Sequence, residues 1–152
     1  MIVNAAPTVA LTSPTNGAVF LAPAAIQLSA NAADSDGTIA RVEFLDGTTV
    51  VGSVTAAPYT FTYGNVAAGT RSLSARAFDN RGASTLSAAV SVVVNAAPTV
   101  DLTSPTNGSV VLAPGSIQLS ANASDSDGTI VRVEFLDGTN VIGSVTTAPY
   151  NF

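Results

Sequence analysis

The sequence predicts an all-β fold, a two-sheet sandwich that occurs once in full and a second time in part. Three observations carry this. Apolar and polar residues alternate at period two along most of the chain, and no stretch offers a convincing 3.6-residue period. Clusters of Gly, Pro, Asn, Asp and Ser interrupt that alternation about every 8–12 residues, the spacing of short strands joined by tight turns. The chain also repeats itself. Asn4-Ala-Ala-Pro-Thr-Val9 returns as Asn95-Ala-Ala-Pro-Thr-Val100, and at the same offset of 91 residues 4–61 align without a gap to 95–152, with 47 of 58 positions identical. A period of 91 residues is too long for a solenoid unit and suits one independently folding domain.

The strands follow in order. Thr8 to Thr12 opens the first sheet, with Val9 and Leu11 on one face. Ser13-Pro-Thr-Asn-Gly17 is a turn cluster. Ala25 to Asn31 points Ile26, Leu28 and Ala30 inward, and Asp34-Ser-Asp-Gly37 forms the next loop. Ala40 to Leu45 sends Val42 and Phe44 in and Arg41 and Glu43 out; Asp46-Gly47 then marks a hairpin into Thr49 to Val54. Ala57-Pro58 breaks that strand. Tyr59 to Tyr63 carries Tyr59, Phe61 and Tyr63 on one face, and Gly69 to Phe78 carries Leu73, Ala75 and Ala77. Asp79-Asn-Arg-Gly82 is a turn, and Leu86 to Val94 is the last strand. Seven or so strands in about 91 residues, all joined by short turns, indicate a two-sheet sandwich.

The repeat fixes the expected domains. Residues 1–3 take the place that Val92-Val93-Val94 hold before the second Asn-Ala-Ala-Pro, so they read as the end of a preceding repeat or a leader strand. Residues 4–94 are one complete domain, and 95–152 are an incomplete second one. Residues 62–94, 33 in all, have no counterpart after Phe152. The chain has the look of a piece cut from a longer array. Its Asn-Ala-Ala-Pro segments are expected to link consecutive domains, each Pro stiffening the junction by fixing φ.

Composition narrows the chemistry. Among 152 residues there is no Cys, His, Trp or Lys, and all five cations are Arg (41, 71, 76, 81 and 132) against ten acids, for a net charge of −5. Without Cys or His there is no zinc site and no thiol or imidazole catalyst. So few cations exclude a basic nucleic-acid surface. No stretch reaches the roughly 18–20 apolar residues of a membrane helix. The first residues form no secretory signal, having neither a basic start nor a long apolar run.

The motif series Asn4–Val9, Leu11–Gly17, Asp34–Ile39, Arg41–Gly47, Ala57-Pro-Tyr59 and Phe78–Ala83 resembles the bacterial Ig-like domain family. The resemblance covers residues 4–94 and all of 95–152. It implies an immunoglobulin-like β-sandwich in tandem and a secreted or cell-surface protein. In such proteins these domains are non-catalytic spacers or interaction modules, with neighbouring repeats as partners. Arg71 is a departure, standing after Ala-Gly-Thr where such domains often carry the Tyr of a tyrosine corner.

Candidate sites are few. The Asp-Ser-Asp-Gly loops carry two carboxylates two residues apart. One reading is a tight turn, with Asp and Ser bonding their own backbone and Gly in the left-handed conformation. The other is a hard cation such as Ca²⁺, held by Asp34, Asp36 and Asp79 with linker carbonyls at one pole of the sandwich. In the second repeat Asp125 and Asp127 lack the partner equivalent to Asp79. No other cofactor is required. Glu43 and Glu134, the two glutamates, read as solvated residues paired with nearby Arg, since copies on successive domains do not make a glycosidase pair. Ser and Thr have no His or Lys to activate them, so no enzyme is expected. Sugar binding favours flat exposed aromatics, and Tyr59, Tyr63 and Tyr150 lie where core packing explains them. Asn107-Gly-Ser109 and Asn122-Ala-Ser124 fit the N-glycosylation pattern.

The incomplete repeat raises a packing question. A sandwich short of its last strands uncovers core, and about 600 Å² of apolar surface would cost on the order of 15 kcal/mol as an upper bound. Three expectations follow: strands donated by another chain, exchange with a second copy, or completion by further residues of a longer polypeptide. Three functions accompany them. The first is a structural spacer or stalk. The second is a subunit of an extracellular filament assembled by inter-chain strand complementation, and the third is an adhesive or glycan-binding module.

Overall fold

The computed structural model describes residues 3–152; the expectation of a strand over residues 1–3 falls, for Met1 and Ile2, outside them. The described residues contain strands and turns and no helix. They divide into two compact units, one ending at Asn95 and one running from Ala96 to Phe152.

The first unit holds nine strands: β1 (Thr8–Ser13), β2 (Val19–Leu21), β3 (Ala24–Ala33), β4 (Ile39–Asp46), β5 (Thr49–Val54), β6 (Tyr59–Val66), β7 (Gly69–Asp79), β8 (Ser84–Leu86) and β9 (Val90–Asn95). One sheet has the order β1-β3-β6; the other runs β2-β9-β7-β4-β5, with β8 against β7. Short turns make the antiparallel hairpins β4–β5 and β7–β8, and the other antiparallel pairs join strands that are not consecutive. The β4–β5 hairpin closes on Asp46 opposite Thr49, with Gly47 at a φ of 59°. A side chain disfavours that conformation and glycine does not.

Alternation puts one face of each sheet into the core. Ile26 and Leu28 of β3, Val42 and Phe44 of β4, Leu73, Ala75 and Ala77 of β7, and Val92 and Val94 of β9 are fully buried. The inward and outward assignments made from period two hold on these strands. Phe61 stacks over Phe44 with ring centroids 6.3 Å apart. Gly52 makes room for it, since a Cβ there would lie 2.6 Å from the Phe61 ring.

Two elements differ from the sequence expectation. The stretch Leu86 to Val94 is not one strand. Ser87 takes both backbone groups of Ala75, through its own N–H (2.8 Å to the carbonyl) and through its Oγ, which accepts the Ala75 N–H at 3.0 Å. That side-chain bond replaces a ladder bond and breaks the strand into β8 and β9. β2 was not expected at all. Three residues between Gly17 and Pro23 carry little local signal, and the strand exists because it pairs in parallel with β9, Val19 opposite Val93.

Arg71 takes over the tyrosine's part at the corner. Its Nη2 donates to the Ala67 carbonyl at 2.8 Å, four residues back, as a corner hydroxyl would. Its Nη1 lies 3.6 Å from Asp46, whose carboxylate also accepts the Tyr63 hydroxyl at 3.2 Å.

The second unit has β10 (Thr99–Ser104), β11 (Ser120–Ser124), β12 (Val133–Asp137), β13 (Asn140–Val145) and β14 (Tyr150–Asn151). They form a three-stranded sheet β10-β11-β14 and a two-stranded sheet β12-β13. The registers repeat those of the first unit: Leu102 faces Ala121 as Leu11 faces Ala30, and Asp137 faces Asn140 as Asp46 faces Thr49. The fold is thus an immunoglobulin-like sandwich followed by an incomplete one. A small core of Ala121, Val133 and Phe135 remains, with Leu119, Ala123, Ile130, Val145 and Tyr150 against it.

Candidate functional site

The pole of the first unit that receives the Asn-Ala-Ala-Pro segment gathers the polar residues singled out from the sequence. Asp36 lies in the loop between β3 and β4, and Asp79 ends β7. Asp79 is buried at 3% exposure. Its Oδ2 accepts the Asn4 side-chain amide at 2.6 Å, and its Oδ1 accepts the backbone N–H groups of Arg81 and Ala83, both at 2.8 Å. Burial pushes this carboxyl upward. The bonds from Asn4 and from the N–H groups of Arg81, Ala83 and Gly82 outweigh that and hold it below the ordinary carboxylate value of 3.8.

Asp36 accepts the Ala5 N–H, at 3.2 and 3.3 Å to its two oxygens. Arg81 bridges the two carboxylates' surroundings. Its Nη1 donates to Asp36 Oδ2 at 2.9 Å, to the Asp36 carbonyl at 2.8 Å and to Asn4 Oδ1 at 3.3 Å. The incoming segment is therefore held at two successive residues, one by its side chain and one by its backbone.

Asp34 plays a local part. Its Oδ1 accepts the Asp36 N–H at 3.3 Å, and its Oδ2 is shielded from solvent without a hydrogen bond. Gly37 has no left-handed φ, contrary to the turn expected for this loop. It is required for room: a Cβ there would run into Asn80 Oδ1 and come within 2.6 Å of Asp34 Oδ2. The loop is pinned from the other side, where Asn80 Oδ1 accepts the Thr38 N–H at 3.2 Å.

The same loop in the second unit keeps what its sequence provides. Asp125 accepts the Asp127 N–H at 3.3 Å, and Asp127 accepts the Ala96 N–H at 2.9 Å, one repeat on from Asp36 and Ala5. Counterparts of Asp79 and Arg81 fall in the segment with no second copy. As for calcium, the guanidinium of Arg81 sits where a cation would bridge Asp36 to the linker. Among the described residues no three Asp, Glu, His or Cys side chains are gathered closely enough to hold an ion.

Sequence reasoning placed Asp34, Asp36 and Asp79 at one pole but missed Asn4 and Arg81, which turn the pole into a clasp. The signals were present. Asn opens both Asn-Ala-Ala-Pro segments, and Arg81 lies two residues past Asp79. The other candidates are structural. Glu43 pairs with Arg41 at 2.9 Å and Glu134 with Arg132 at 2.7 Å. Tyr59 and Tyr63 pack against the first core and Tyr150 against the second. On the outer face Phe78 is covered by the Arg41 guanidinium, 3.6 Å from the ring centroid. No helix among the described residues is long and apolar enough to cross a membrane.

Known proteins place this architecture. The bacterial Ig domain family matches residues 7–75 and again residues 98–152. The fibronectin(III)-like modules of Clostridium thermocellum CbhA are 38% identical, with a TM-score of 0.56 over 95% of this chain and 77% of theirs. Carbohydrate-binding modules of the β-sandwich superfamily overlay less well. Their TM-score is 0.46 at 23% identity, over 82% of this chain and 56% of theirs, and that overlay carries no argument about binding. No curated protein matches the chain. Two matched segments one repeat apart, each on the sandwich described above, establish that the chain belongs to the bacterial Ig domain family.

Proposed function

We propose that the chain is a non-catalytic structural module, a spacer built of tandem Ig-like repeats in a secreted or cell-surface bacterial protein. The observation that carries this is the clasp. Asn4 and Ala5 of the linker are bound by Asp79 and Asp36 and bridged by Arg81, so the charged residues at this pole hold the chain itself. A repeat that fastens the segment entering it keeps that segment from swinging freely at the junction, which suits a stalk. Charge-assisted bonds to a carboxylate exceed neutral ones in strength, so a few of them suffice to order a short peptide.

The test is amide exchange at Ala5 in the chain and in an Arg81→Ala, Asp36→Ala double variant. Protection of Ala5 that falls in the variant supports the clasp, and an Ala5 amide that exchanges at the open-chain rate in both contradicts it. A glycan array run beside it addresses the adhesive alternative, with no retention expected; reproducible retention would assign the chain a binding role instead. Calcium is the competing occupant of the pole. Because Arg81 supplies the positive charge, adding calcium beside a chelator control is expected to leave the melting temperature unchanged, and a rise would give the pole to the ion.

A further inference from the structure

The bonds of the clasp discriminate between the segments it could hold. Asn4 stands between an acid and a base. Its Nδ2 donates to Asp79 Oδ2 at 2.6 Å, and its Oδ1 accepts Arg81 Nη1 at 3.3 Å. A side chain in this place must therefore offer a donor on one side and an acceptor on the other, which an amide does. A carboxylate offers acceptors only. Aspartate here would keep the Arg81 bond but would set its charge against Asp79, which is itself buried. Glutamine carries the same groups as asparagine, one methylene further out.

The next residues are read in other ways. Asp36 accepts the Ala5 N–H, a donor that proline in place of Ala5 lacks. Ala6 is exposed, and Pro7 is fully buried. Four consecutive residues are thus sampled at three points: a side-chain amide, a backbone N–H and a buried ring. The spacing of the two acids is fixed by a further pair of bonds. The Thr38 N–H donates to Asn80 Oδ1 at 3.2 Å, and the Asn80 N–H donates to the Thr38 carbonyl at 3.0 Å. Together they tie the loop that carries Asp36 to the turn that carries Arg81.

We infer, on the footing of the clasp proposed above, that this pole is a recognition site for a peptide of the pattern Asn-Xaa-Xaa-Pro, with any residue but proline after the Asn, and that Asn4 is its specificity-determining residue. Residues 4–7 and 95–98 carry that pattern, and no other stretch of the sequence does. Exchanging the two partners keeps the site. With Asn4→Asp and Asp79→Asn together, the amide at position 79 donates to the carboxylate at position 4, which still accepts from Arg81. The amide oxygen at position 79 keeps the backbone N–H groups of Arg81 and Ala83. Each substitution alone leaves two like groups facing each other, two acceptors in the first case and two donors in the second.

The experiment compares amide exchange at Ala5 in the unmodified chain, in Asn4→Asp, in Asp79→Asn and in the double variant. The β4 amides of Val42 and Phe44, read in the same spectra, check that the first repeat stays folded. Exchange at Ala5 is expected to quicken by about tenfold or more in each single variant, and to return to within about threefold of the unmodified chain in the double variant. Equal protection of Ala5 in the unmodified chain and in Asn4→Asp overturns the inference and leaves the clasp standing. So does a double variant that exchanges as fast as the single ones. An Ala5 amide unprotected in the unmodified chain removes the clasp itself, and this inference with it. Where a single variant loses the protection of Val42 and Phe44, Asn4→Ala is read in its place; it deletes both side-chain bonds without adding a charge, and the same tenfold change is expected, its absence again overturning the inference.

Discussion

Ile26 and Ile117 stand in nearly the same sequence, Ile-Gln-Leu-Ser-Ala-Asn-Ala, and meet opposite fates. The first lies in a ten-residue strand, fully buried; the second lies before a five-residue strand, half exposed. Locally, Ala24-Ala25 precedes the first where Gly115-Ser116 precedes the second. The larger difference is β7 and β9, more than forty residues further along the first repeat, which close the second sheet over Ile26. β7 is also the middle of that sheet, so its absence removes a neighbour from both β4 and β9 positions at once. What remains in the second unit is hairpin β12–β13, the sheet β10-β11-β14 and a small apolar cluster. Local sequence makes hairpins and turns, and non-local strands make the core.

The comparison can be broken by paired substitutions, with amide exchange read separately over each repeat. Ile26→Ala should cost about 2–5 kcal/mol, as deletions from packed cores do. Ile117→Ala should stay within about 0.5 kcal/mol, as exposed substitutions do. Equal losses would mean that the second unit is closed in solution. Glycines give a second pair. Gly52→Ala places a Cβ 2.6 Å from the Phe61 ring, and Gly143→Ala one 2.5 Å from the Phe152 ring. Phe61 packs against a core, so overfilling there should cost about 1–3 kcal/mol. Phe152 stacks on Phe135 in the same way, at 6.0 Å, but is half exposed over a smaller core, so Gly143→Ala should cost the second repeat less in melting temperature.

The pole provides a pH test. The folded Asp79 carboxyl lies below its unfolded value of 3.8. Its contribution to stability is whole above that value and is lost as the pH falls through the folded one. Thermal melts from neutral pH down into this acid range should show the loss in the first repeat, and Asp79→Asn should flatten that limb. The second repeat, which has no Asp79, should not lose stability from this source. The smallest effect lies at the alkaline end. Burial, then the charge of Asp46 and the hydrogen bond to it, raise the Tyr63 phenol above 10.0, against an opposing pull from Arg71. Its contribution is whole below pH 10.0 and shrinks as the pH rises past it toward the folded value. Tyr63→Phe should remove that slope, and an unchanged alkaline melting profile would show that the phenol does not titrate with unfolding.

Much of this was legible in the residues. Period-two alternation placed Leu73, Ala75 and Ala77 on the buried face of one strand, and Asp46-Gly47 located a hairpin, because both depend on neighbours a few residues apart. β2 was not legible, since three apolar residues become a strand only beside β9. Nor was the break at Ser87, where one hydroxyl replaces a ladder bond to Ala75. At the site, the acids were found because carboxylates in a Gly-containing loop draw attention. Their partners were missed because Asn4 and Arg81 lie 77 residues apart.

By itself the sequence determined the all-β class, the 91-residue repeat, the turns and which side of each main strand faces inward. These rest on side-chain alternation and turn chemistry, which act over a few residues. Only the tertiary structure decided which groups meet at the polar pole and which strands lie side by side. It brought Arg81 between Asp36 and Asn4, within hydrogen-bonding distance of both. It also set β7 between β4 and β9, with Ala77 and Ala75 opposite Val42 and Phe44. Both outcomes depend on contacts between residues far apart in the sequence, where the partner and its register are specified by the assembled sheets.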